Sequence, residues 1–138
     1  MFHKNSQVKA PINDRVLFIG FLPETMSAEE LAPLNMTVEE LTVQFERSRE
    51  AIQAQGVAGE MCGISKDPDE AEAELRKRFA EGTFGVALIG GGVRFLPENT
   101  VLFERIVNVL IDLQPGIRLS FNNSPQNTLE AVHRWLDH

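Results

Sequence analysis

Apolar residues along this chain come in two rhythms that alternate from one end to the other. Short, nearly continuous hydrophobic runs, Arg15-Val-Leu-Phe-Ile-Gly20 and Gly85-Val-Ala-Leu-Ile-Gly90, read as strands covered on both faces. Ile117-Arg-Leu-Ser-Phe121 alternates apolar with polar, the mark of a strand partly open to solvent, and Val57-Ala-Gly-Glu-Met-Cys-Gly-Ile64 supplies a fourth. Between the strands the apolar spacing lengthens to three and four residues. Val38, Leu41, Phe45 and Ile52 predict a helix over about 37–55, opened by the capping-box pair Thr37 and Glu40 and ended by Gly56. Asp67-Pro68 opens a second helix to about Glu81, whose thin stripe of Ala71, Leu75 and Phe79 suits a sheet edge. A third spans about 97–113 and closes at Pro115-Gly116. Ser124-Pro125 opens the last, which carries Leu129, Val132 and Leu136.

Strands separated by helices need crossover connections, which are right-handed in nearly all proteins, so the four strands should form a parallel sheet. Placing the two most apolar strands at the centre gives the order 2-1-3-4 in a three-layer αβα sandwich. This pattern resembles the flavodoxin-like and Rossmann-like doubly wound folds over about residues 14–138, with residues 1–13 as a tail. The resemblance implies a ligand crevice where the chain reverses direction, at the carboxyl ends of strands one and three.

Composition narrows the class. At 138 residues and 43% hydrophobic, the chain fits one domain with a full core. A net charge of −7 would repel nucleic-acid backbones and anionic membranes, so neither is expected as a partner. Cys62 is the lone cysteine, which rules out an internal disulfide and suits a buried, inert thiol. The first residues lack an apolar core of signal-peptide length, and no run of about 18 apolar residues occurs. A soluble, cytoplasmic protein is the expectation.

The tetrapeptide Phe-Leu-Pro-Glu occurs at 21–24 and at 95–98, each time just beyond a central strand. Glu98 follows Pro97 at a helix start, where a carboxylate favours the dipole. Glu24 has no such helix after it and is the candidate for proton transfer. Gly20 ends strand one. Gly90, Gly91 and Gly92, followed by Arg94, admit two readings: a backbone cradle with a cation for a carboxylate or phosphate, or a tight turn with Arg94 paired to Glu24 or Glu98. Asn122 and Asn123 end strand four with amides able to hold a polar ligand, and Ser124 reads as a cap. His3, His133 and His138 show no metal-ligand spacing. No metal is predicted and no cofactor is indicated.

Familiar occupants of such sheets lack their motifs. There is no Walker loop, a dinucleotide fingerprint from Gly90 would need glycine where Phe95 stands, and no Gly-x-Ser-x-Gly elbow occurs. Strands one and three end in Ile19-Gly20 and Ile89-Gly90, where a receiver domain carries acids. Two functions remain open. One is binding of a small anionic metabolite or nucleotide-like ligand in the crevice. The other is a catalytically silent homodimer, using loop 22–36 and the apolar surplus of helix 97–113, namely Phe103, Val107 and Ile111.

Overall fold

Strand β1 (Arg15–Phe21) lies at the middle of the molecule, with β2 (Ala58–Ile64) on one side and β3 (Val86–Ile89) on the other. β4 (Arg118–Phe121) completes a parallel sheet in the order β2-β1-β3-β4, as the apolar pattern predicts. The computed structural model describes residues 6–136. Its helices are α1 (Ala28–Leu31), α2 (Val38–Ala54), α3 (Pro68–Glu81), α4 (Gly91–Arg94), α5 (Thr100–Leu113) and α6 (Thr128–Leu136). They flank the sheet in three α/β layers, consistent with a Rossmann- or flavodoxin-like architecture.

Side chains alternate along each strand, so the sheet divides the core in two. Leu17, Ile19 and Phe21 join Cys62, Ile64, Ala87 and Ile89 beneath α3 and α5. Val16, Phe18, Val86 and Leu88 face α2 and α6. On the first side the helices pack against each other. Leu102, Ile106, Val109 and Leu110 of α5 are buried, and Phe103 and Val107 pack against the same cluster. Phe103 meets Phe121 edge-on, with ring centroids 6.1 Å apart. The apolar surplus of α5 is therefore absorbed largely within the chain, with Val101 and Ile111 left exposed.

Local signals mostly act as read. Thr37 and Glu40 close a capping box at α2, Ser27 and Glu30 close another at α1, and Asp67 caps α3 ahead of Pro68. Three boundaries differ. The expected 97–113 helix begins as a 3-10 turn, Pro97–Asn99, and becomes α-helical at Thr100. A matching turn, Pro125–Asn127, precedes α6. Gly91 and Gly92 start the single-turn α4, with Gly90 as its N-cap at φ −68°, so the glycine run uses no positive φ.

The amino-terminal segment packs at the amino ends of the strands. Asn13 Oδ1 accepts from the N–H groups of Arg15 (2.9 Å) and Gly85 (2.8 Å), and Lys9 O accepts from Arg118 Nε. Among the described residues, no helix is long and apolar enough to cross a membrane.

Candidate ligand-binding site

Register builds the floor of the site. Gly20 of β1 pairs with Gly63 of β2, and both fall on the α2 face. Ile19 pairs with Ile89, and Ile89 with Phe121, so the next residues bring Gly90 and Asn122 into the same row. The Gly90 N–H donates to Ile19 O at 2.9 Å, which holds that alignment. Gly63, Gly20, Gly90 and Asn122 thus cross the sheet at its carboxyl end. The Leu22 side chain lies over Gly63 where a Cβ would sit, but a Cβ on Gly20 would meet nothing within 4 Å. Gly20 also has ordinary backbone geometry. Glycine within a strand often marks a bulge, a bend or a place where a ligand or another backbone approaches closely.

Above this floor lies a cavity of about 240 Å³. Gly20, Gly90, Gly91, Gly92, Asn122 and Asn123 all line it. These sequence candidates, scattered over a hundred positions, meet at one place. Phe18, Met61 and Leu88 extend the floor, while Leu41, Phe45 and Ile52 of α2 form the roof. Met26 and Leu34, from the long loop after β1, close one side. The sequence marked α2 as amphipathic but not that it stands off the sheet: of its seventeen residues only Ile52 is fully buried. Low burial of Leu41 and Phe45 leaves the volume beneath them.

Polar groups in the lining are few and uncharged: Gln44, Ser48, Asn122, Asn123, Ser124 and Thr128. Asn122 is 6% exposed. Its Nδ2 donates to Thr128 Oγ1 at 2.9 Å, while Oδ1 is the buried side-chain polar atom without a partner among the described residues. Such an orphan acceptor costs about 1–3 kcal/mol.

Arg94 is turned elsewhere. Its Nε donates to Ile89 O at 3.1 Å and Nη2 donates to Asn122 O, so the guanidinium ties together the ends of β3 and β4. It stacks over Phe95 and Phe121 at 4.8 and 5.1 Å. Burial lowers its pKa, and no carboxylate among the described residues pairs with it. The predicted partners Glu24 and Glu98 are both exposed, in the matching 3-10 turns Pro23–Thr25 and Pro97–Asn99. The two Phe-Leu-Pro-Glu copies fold alike from leucine onward, with leucine extended at the cap and proline leading the turn, whereas Phe21 ends β1 and Phe95 is the helical C-cap of α4. Neither Arg94 nor Glu24 belongs to the cavity lining.

Titratable groups near the core serve structure. Burial pushes the Cys62 thiol up to about 11, with Arg78 pulling the other way. Burial also raises Glu30, but hydrogen bonds from the Ser27 N–H and from Lys66 Nζ (3.0 Å) outweigh it, and its pKa is lowered overall. That pair holds α1 in place beside the loop that lines the cavity. His133 is partly exposed on α6; His3 and His138 lie outside the described residues. No metal-binding group of three or more His, Cys, Asp or Glu occurs among the described residues.

A wider furrow of about 720 Å³ runs between α2 and α6. Its walls carry the exposed Glu39, Glu40 and Arg47, and Val43 is half exposed. It shares Gln44, Ser48, Ile52 and Thr128 with the cavity. The chain matches no family model, no curated protein and no solved structure.

Proposed function

We propose that this protein is a small-molecule-binding domain whose ligand sits between α2 and the carboxyl ends of β1 and β3. One observation carries the reading. A row of glycines, one of them without steric or conformational cause, floors a cavity of about 240 Å³ whose lining is mostly apolar. Open parallel sheets keep their ligand crevices at this end. The lining contains no ionisable side chain, so the reading is one of binding, and proton transfer by Glu24 has no support from its exposed position.

Gly20→Val tests it. The new side chain projects into the cavity without meeting protein atoms at its Cβ, so the variant should fold while losing ligand. A thermal-shift screen with a broad fragment panel should give compounds that raise the wild-type melting temperature and fail on Gly20→Val. Hits that bind both proteins equally would place their site elsewhere and reject the reading. Homodimer formation keeps a smaller footing in Val101 and Ile111, the large apolar residues of α5 that stay exposed. Light scattering that shows a monomer at micromolar concentration would exclude it.

A further inference from the structure

We infer that the ligand of this cavity is an uncharged, largely apolar molecule the size of one ring with a short substituent. This class rests on the binding reading above, and it departs from the anion that the glycine run and Arg94 suggest in the sequence. Size comes first. An apolar cavity of about 150 Å³ admits benzene, so about 240 Å³ has room for roughly ten non-hydrogen atoms.

Polarity comes second. Phe18, Ile52 and Leu88 belong to the core cluster of the α2/α6 face, Met61 packs against it, and Leu41 and Phe45 of α2 complete the apolar lining. Met61, Leu41 and Phe45 are only partly buried. An apolar guest beneath α2 would remove more of that surface from water, and this is the main force such a cavity can offer.

Charge comes third. No lining side chain is charged. Gln44, Ser48 and Asn123 bring neutral amides and a hydroxyl, which can meet the polar edge of a neutral guest but carry no counter-charge for an ion. Arg94 stacks on Phe95 outside the lining, with Nε donating to Ile89 O and Nη2 to Asn122 O. Glu39, Glu40 and Arg47 stand on the walls of the wider furrow, and none of them lines the cavity. An ion entering here would give up its hydration with no opposite charge to replace it. An anion would also meet the protein's net charge of −7.

Probes of one shape and different charge read this property on the full chain. Acetophenone and benzamide are neutral, benzoate is an anion and benzamidinium is a cation. In calorimetric titrations near neutral pH, both neutral probes should bind roughly tenfold or more tightly than either ion, and Gly20→Val should abolish their binding. If Gly20→Val does not fold, amide chemical shifts of the wild type locate the probe, and they should move at Gly20, Gly90 and Asn123 rather than on the α3/α5 face. Tightest binding by benzoate or benzamidinium at these residues, or equal affinities for all the probes there, would overturn the uncharged class and leave the site standing. Neutral probes that bind Gly20→Val as well as wild type, or shift only residues elsewhere, would reject the site and the class with it. If no probe of the series binds, the compounds of the wider panel that Gly20→Val excludes decide: ions among them overturn the class, neutral apolar compounds uphold it, and an empty panel rejects class and site together.

Discussion

The two faces of the sheet use the same strands but are finished differently. On the α3/α5 face, strand side chains are large and the helices seal against them: Ile19, Ile64, Ile89, Leu75, Ile106 and Leu110 are all at most 2% exposed. On the α2/α6 face, the carboxyl-end row is Gly63, Gly20 and Gly90, and α2 spans the gap with one fully buried residue. One sheet thus holds a sealed core on one side and an open cavity on its reverse. Close packing rewards the first directly, whereas the second leaves apolar surface uncovered until something occupies it.

The largest test of that contrast compares Ile106→Ala with Leu41→Ala. Truncating Ile106, fully buried on the sealed face, should cost about 2–5 kcal/mol, and truncating Leu41 on the cavity roof less than about 1 kcal/mol, by urea denaturation. Equal losses would erase the distinction between the faces. The next effect is a pH dependence on the sealed side. The folded state holds the Cys62 proton more tightly than an ordinary thiol of 9.0 does, so this contribution is intact below pH 9 and is lost as pH rises toward 11. The loss should reach about 2–3 kcal/mol at most. Stability measured at pH 8 and pH 11 should fall more steeply in wild type than in Cys62→Ala.

Smaller effects separate the two helices of the open face. Ser120 Oγ donates to Ala131 O at 2.6 Å and fastens α6 to β4, whereas among the described residues no such side-chain hydrogen bond joins α2 to a strand. Ser120→Ala should cost about 1–2 kcal/mol, and hydrogen exchange should show α6 loosening toward the behaviour of α2. Smallest is Gly20→Ala, which should stabilise the empty protein by roughly 0.4–1 kcal/mol through lost freedom in the unfolded chain. A destabilised Gly20→Ala would mean the open space above Gly20 is not there.

Strand order and helix identity were legible because each follows from a short-range signal: two unbroken apolar runs, an alternating run, and caps at Thr37 and Asp67. Gly20, Gly90 and Asn122 were found by their places at strand ends. Their alignment in a row was not, since register between strands is a long-range property. The height of α2 above the sheet was also hidden. Periodicity says which way Leu41 and Phe45 point, and nothing about what they reach. Gly91 and Gly92 form a single helical turn despite their weak helix propensity, with the Phe95 N–H donating to Gly91 O. Neither sequence reading of Arg94, ligand cation or partner of Glu24 or Glu98, anticipates its hydrogen bonds to Ile89 O and Asn122 O, because these join residues that the sequence keeps apart.

The amide of Asn13 has a practical consequence. By clasping Arg15 and Gly85, it fixes the amino-terminal segment to the edge of the sheet farthest from the glycine row. A protein tethered to a sensor surface through that segment would present its cavity outward, so immobilisation there should leave ligand access unobstructed.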